Sequence, residues 1–112
     1  MTVPRLKAGI FVRALIRRAE VAGASAYVLR KGVEESGAII LKISRRDGTS
    51  LVLSQARRGA EGELVWVKPL GDAVDDEKAS AWFDKQAKFD PDLWIVEIED
   101  REGCTFVDEP VV

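Results

Sequence analysis

A chain of 112 residues with 46% apolar and 32% charged side chains is sized for one folded domain spanning residues 1–112, which excludes a disordered chain. A single Cys and no His exclude an internal disulfide, Cys/His zinc sites, and Ser-His-Asp or Cys-His catalysis. The net charge of −2 hides a split: residues 1–58 carry 12 Lys+Arg against 4 Asp+Glu, and residues 59–112 carry 5 against 15. The neutral total favours halves that interleave and cancel over a dedicated basic face.

The first predicted element is a helix over residues 8–22. Phe11, Leu15 and Ala19 recur at spacings of four, with Val12, Ile16 and Ala14 beside them, while Arg13, Arg17 and Glu20 fall on the other side. No Ser, Thr, Asp or Asn between Val3 and Val12 caps its start. Gly23 is a candidate left-handed residue at its end. Strands are then expected over 26–30, 38–44, 49–54 and 64–68. A polar loop, Lys31 to Gly37, separates the first two, and Asp47-Gly48 marks a tight hairpin between the next two. Gln55 to Glu63, with Gly59 and Gly62, reads as a flexible polar loop, and Pro69 ends the fourth strand.

A second helix is expected from Asp75 or Asp76 to about Phe89. Its first turn is acidic, its last basic, and Pro91 stops it. Ala79, Trp82, Phe83, Gln86 and Phe89 share one face. Asp90-Pro91 and Asp100-Arg101-Glu102-Gly103 bound the apolar run 93–99, which is taken as a central strand. Cys104-Thr105-Phe106-Val107 is expected to turn back and pair beside it. The order α-β-β-β-β-α-β-β predicts an α+β fold: a mostly antiparallel sheet of five to six strands, the first four a meander, with two helices packed on one face.

Alternation at period two divides the sheet. Trp94, Val96, Ile98, Ile39, Leu41, Ile43, Leu51 and Leu53 are expected under the helices. The other face carries Lys42, Ser50, Ser54 and Glu97 together with Ile40, Val52 and Ile95. It is half apolar, as expected of a face that a partner covers. Ile40, Lys42, Val52, Ile95 and Glu97 are therefore the candidate partner face.

The segments Arg5-Leu6-Lys7-Ala8-Gly9-Ile10-Phe11-Val12, Arg17-Arg18-Ala19-Glu20, Asp47-Gly48-Thr49 and Phe89-Asp90-Pro91-Asp92-Leu93-Trp94-Ile95-Val96-Glu97-Ile98-Glu99-Asp100 resemble a family of small bacterial proteins catalogued as domain of unknown function 1491. Phe-Asp-Pro-Asp-Leu-Trp is the most specific part. The resemblance implies a small stand-alone protein and carries over no activity and no functional residues.

Candidate chemistry is sparse. The acids Asp90, Asp92, Glu97, Glu99, Asp100 and Glu102 lack the Asp-x-Asp-x-Asp-Gly spacing of a calcium loop, and read as a solvated strand end. Glu97, mid-strand among apolar residues, invites a cross-strand partner such as Lys42. Arg13, Arg17 and Arg18 on the first helix, with Arg45 and Arg46 at the hairpin, are candidate anion or nucleic-acid contacts. A pI near 5 and the absence of interleaved aromatics argue against that use. Cys104 has no base to activate it. No residue is assigned a catalytic, cofactor or metal role. The N-terminal Met1–Arg5 stretch shows no leader-like apolar core, and a cytoplasmic location is expected. The reading is thus a non-enzymatic domain acting through protein contacts, homodimerisation by the half-apolar face or an unpaired edge strand being its specific form. A nucleic-acid-associated factor is the alternative.

Overall fold

The structure is a computed structural model and describes residues 7–112. The stretch Met1–Arg5, read above for a leader, lies outside the described residues. The elements are α1 (Ala8–Val21), β1 (Ser25–Arg30), β2 (Ile39–Ser44), β3 (Thr49–Arg58), β4 (Glu63–Val67), β5 (Val74–Asp75), α2 (Asp76–Phe89) and β6 (Trp94–Glu99).

Local chemistry explains most boundaries. α1 begins at Lys7 with no side-chain cap. In place of a cap, the Gly9 amide donates to the Glu34 carbonyl at 2.9 Å. At the other end Gly23, at φ 90°, lets the Ala24 amide reach the Ala19 carbonyl at 2.9 Å, the 6→1 closure of a Schellman motif. α2 is capped by Asp75, whose side chain accepts from the Lys78 amide. In the β2–β3 hairpin Asp47 accepts from both the amide and the hydroxyl of Thr49. The left-handed residues there are Arg46 and Gly48, so the positive φ angles flank Asp47.

The sheet runs β1-β6-β2-β3-β4, with the short β5 beside the first residues of β3. β2–β3 and β3–β4 are antiparallel and form the expected meander. β1 does not join it. β6 inserts between β1 and β2, antiparallel to the first and parallel to the second. The strand taken as central is therefore hydrogen-bonded on both sides. Two further boundaries differ from expectation. Gln55 to Arg58 continue β3, because backbone pairing to Glu63–Val67 suffices where side chains are solvated. Cys104–Val107 is not a strand. Phe106 and Val107 instead pack against the α1-side core.

The inserted strand forces the β1–β2 loop to cross over its start. There the Val33 amide donates to the Asp92 carbonyl (3.0 Å), and the Trp94 amide donates to the Ala38 carbonyl (2.8 Å). The Trp94 indole N–H donates to the Val33 carbonyl (2.8 Å). Gly32 and Gly37 lie flat against this strand entry. A Cβ on either would fall 2.2 or 2.3 Å from the Asp92 carbonyl oxygen and within 2.8 Å of the indole.

The two sheet faces carry one helix each, which corrects the expectation of both on one face. Val12, Leu15 and Ala19 of α1 pack with Ile39, Leu41, Ile43, Leu51, Leu53, Trp66, Trp94, Val96 and Ile98. Ala79 and Phe83 of α2 pack with Ile40, Val52, Leu93 and Ile95, and Trp82 borders them. Phe89, expected on the buried side of the second helix, is exposed at its last turn. Period two correctly separates the residues of the two faces. It does not say which helix covers which, and a half-apolar face reads alike whether its cover is internal or foreign.

Gly32→Ala and Gly37→Ala are each expected to destabilise the fold by about 2 kcal/mol or more, since the neighbour is backbone and cannot swing away. Trp94→Phe, which removes the bond to Val33, is expected to cost about 1 kcal/mol. Urea titration followed by circular dichroism measures all three.

Candidate functional site

Of the candidate partner face, Ile40 and Val52 are buried beneath α2. They offer no surface to a partner, and the expectation of an open face there is corrected. Lys42 and Glu97 lie opposite one another in the parallel β2–β6 register. Lys42 is 9% exposed, and its Nζ stands 3.9 Å from Glu97 Oε2 and 3.6 Å from Asp76 Oδ1. The fully buried Ser50 hydroxyl donates to the same Asp76 oxygen at 2.8 Å. One cation is thus shared by two carboxylates where the first turn of α2 meets β2, β3 and β6. Burial holds the Glu97 carboxyl above the ordinary carboxylate range, Lys42 opposes this, and Glu99 and Asp76 add to it. These groups satisfy one another, and neither of the two clefts described below includes them in its lining. The arrangement anchors the start of α2 and sets strand register.

The sheet has two edges, and they differ. Along β4 the C-terminal segment lies as a partial extra strand. The Trp66 amide donates to the Pro110 carbonyl, and the Val112 amide donates to the Trp66 carbonyl, both at 2.8 Å. The Trp66 indole reaches Glu109 at 3.1 Å. The β1 edge is open: among the described residues nothing pairs with its outer side. Tyr27, Val28 and Leu29 there are 48%, 43% and 49% exposed. Three consecutive large apolar residues on an unpaired edge form a template for another strand. A register shift between Val28 and Arg30 bends the far end of β1 and leaves Ser25–Val28 as its regular part.

Beside this edge, on the α2 side, lies a shallow cleft of about 290 Å³. It runs between β1 and α2 and is lined by Leu29, Phe83, Ala87 and Ile95, with Arg30 and Asp84 as its charged groups. Ile95, buried under α2 like Ile40 and Val52, forms part of the cleft's floor. Arg30 donates to the Pro91 carbonyl at 3.0 Å, while its buried Nε has no partner.

Four of the five candidate anion-binding arginines are engaged within the chain. Arg13 pairs with Glu34 at 2.6 Å, Arg18 bonds the Phe106 carbonyl and faces Asp108, Arg45 bonds the Asp72 carbonyl, and Arg46 pairs with Glu99 at 3.3 Å. Arg17 alone is exposed without a described partner. Most of these contacts join the basic half of the chain to the acidic half. The exposed Cys104 thiol is pushed up by the neighbouring Asp100 carboxylate, the opposite of what activates a nucleophile. No helix among the described residues is long and apolar enough to cross a membrane.

The class so defined is a small α+β domain whose mixed sheet carries one helix per face and leaves one strand edge open. The chain belongs to the family described as Protein of unknown function (DUF1491), whose profile matches residues 6–108. It is similar to a DUF1491 family protein from Caulobacter crescentus CB15. Against that protein's crystal structure the identity is 45% and the TM-score 0.89, covering 96% of this chain and 100% of that one. The NMR structure of a DUF1491 family protein from Caulobacter crescentus CB15 matches at 44% identity and a TM-score of 0.85, over 98% of this chain and 99% of that one. The solution structure of protein Atu0922 from A. tumefaciens matches at 36% identity and a TM-score of 0.77, over 95% of both chains. No curated protein matches.

Because the folded state holds the Glu97 proton more tightly than the unfolded chain does, this residue favours folding below the ordinary glutamate range. That contribution is lost as pH rises through its raised folded pKa. Glu97→Gln is therefore expected to remove a downward slope that sets in at the ordinary glutamate range and continues above it in the stability–pH curve. Lys42→Met, which leaves two carboxylates facing each other, is expected to cost about 2 kcal/mol at pH 7. Denaturant titrations of both variants and the parent across pH measure each effect.

Proposed function

We propose that this domain is a non-enzymatic protein-interaction module of the bacterial cytoplasm, and that it works by adding an extended segment of a protein partner to the open edge of β1. The observation that carries this reading is the exposure of Tyr27, Val28 and Leu29 on an edge whose backbone is unpaired. In strand addition the main chain supplies affinity, and side-chain pockets along the edge supply selectivity. The cleft between β1 and α2 is such a pocket, with Leu29, Phe83 and Ile95 for an apolar side chain and Arg30 at its border. The close-set titratable groups support the same reading, because Lys42, Glu97 and Asp76 are tied to one another under α2. The lone thiol Cys104 suits a reducing compartment.

Replacing Tyr27 by a photoreactive phenylalanine analogue in the cell tests this reading. Irradiation is expected to give a discrete cross-linked product from position 27 and none from the same replacement at the exposed Lys85 of α2. Equal labelling at both positions, or none at 27, would sink the strand-addition reading.

A further inference from the structure

We infer that the segment received by β1 is β1 of a second copy of this chain, paired antiparallel about a twofold axis perpendicular to the sheet. This rests on the strand-addition reading above and names its partner. The first argument is closure. A sheet with two free edges would stack head to tail without limit, but here the β4 edge is occupied by the segment around Pro110–Val112. Joining β1 of one copy to β4 of the next would require that segment to leave. Pairing β1 with β1 requires no rearrangement, and it closes after two copies because both open edges are then consumed.

The second argument is register. Residues directly opposite one another in an antiparallel pair must point to the same face, and a twofold axis perpendicular to the sheet keeps the α2 sides of both copies together. Centred on Tyr27, this places Tyr27 against Tyr27 of the second copy on the α2 side, continuing the row in which Tyr27 already pairs with Glu97. Ala26 then faces Val28, and Ser25 faces Leu29, so each small residue meets a large one. The paired stretch, Ser25 to Leu29, takes in the regular part of β1 and ends on the residue at its register shift. Aromatic and apolar cross-strand pairs of this kind are the stabilising contacts of a sheet.

The third argument is charge. The same register carries Lys31, beyond the end of one β1, alongside Gly23 and Ala24 of the other copy. Those two residues wall a cleft of about 260 Å³ with Arg46, Glu99, Asp100, Arg101 and Glu102. Glu99 is taken by Arg46 and Asp100 accepts from the Cys104 amide. Glu102 is exposed and makes no described ion pair, and Lys31, exposed as well, is drawn at longer range to Glu34. The twofold brings these two opposite charges towards each other twice. The result is one continuous sheet through both copies, with Tyr27 at its centre.

Sedimentation equilibrium of the purified full chain tests this. An interface of one short strand pair is small, so association is expected in the range of about 10 µM to 1 mM. The mass is expected to rise from one chain to two and no further. Tyr27→Lys, which sets two like charges directly opposite, is expected to weaken dimerisation about tenfold or more. Circular dichroism checks that it folds. Lys31→Glu and Glu102→Lys are each expected to weaken it a few-fold, and the double charge-swap variant to restore it. These surface changes carry the test even where Tyr27→Lys perturbs folding.

A chain that stays monomeric up to about 1 mM overturns the second-copy inference. So does a dimer indifferent to both Tyr27→Lys and the charge reversals. The cross-linked product at position 27 separates the two levels. A mass of two chains supports self-pairing. A mass other than two chains, with monomeric purified protein, overturns self-pairing and leaves strand addition standing. No product and no dimer overturns both.

Discussion

Everything in this fold depends on how β6 enters the sheet. A strand from near the end of the chain lies between two that are neighbours in sequence, so the loop joining those two must bridge the entering strand. The bridge has almost no clearance. Gly32 and Gly37 rest on the Asp92 carbonyl and the Trp94 ring, and Val33 accepts the indole proton while donating to Asp92. This accounts physically for the Asp-Pro-Asp-Leu-Trp segment. Pro91 stops α2, the backbone of Asp92 docks the loop, Leu93 fills the α2 side, and Trp94 fills the α1 side while tying down Val33. Set this corner aside and β1 loses the one strand neighbour it has among the described residues.

The insertion also determines what each face needs. With β6 and β2 side by side in the interior, their alternate residues form two apolar stripes back to back, Trp94-Val96-Ile98 on one side and Leu93-Ile95 on the other. Each stripe has its own helix. Lys42 interrupts the α2 side, and the first turn of α2 brings Asp76 to it. Buried charges of this sort add little net stability, but they disfavour slipped registers, because a one-residue shift would leave a cation in an apolar layer. The helix is thus placed by Phe83 and Ala79 and fixed lengthwise by Asp76.

Helix limits, the hairpin at Asp47-Gly48, the meander of β2 to β4 and the membership of the two faces were all legible, because each follows from local spacing or turn chemistry. The expected Lys42–Glu97 neighbourhood was legible for the same reason. What could not be read was long-range. Nothing local in Ser25–Arg30 distinguishes an edge strand from an interior one, and Tyr27-Val28-Leu29 has the unbroken apolar character usually found under cover on both sides. The separation of the helices onto opposite faces was hidden because apolar residues at Ile40, Val52 and Ile95 look the same under α2 as under a partner. Phe106 and Val107 suggested a strand by composition. They serve instead as core residues, and Phe106 has a left-handed backbone (φ 60°) that no strand could hold.

The threading of β6 has a consequence in time as well as in space. β1 ends at Arg30 and the strand that receives it begins at Trp94, so a growing chain must wait for over sixty further residues before β1 has a partner. At ordinary synthesis rates that wait is about 3–13 s, far longer than a helix such as α1 needs to form. During it, β1 has no strand beside it on the nascent chain, while the β2–β3–β4 meander can already pair with itself and offer Ile39, Leu41, Leu53 and Trp66 to α1. The insertion of β6 is thus the step that gives β1 its place in the sheet, and until it arrives β1 is the strand of the nascent chain with no neighbour to pair with.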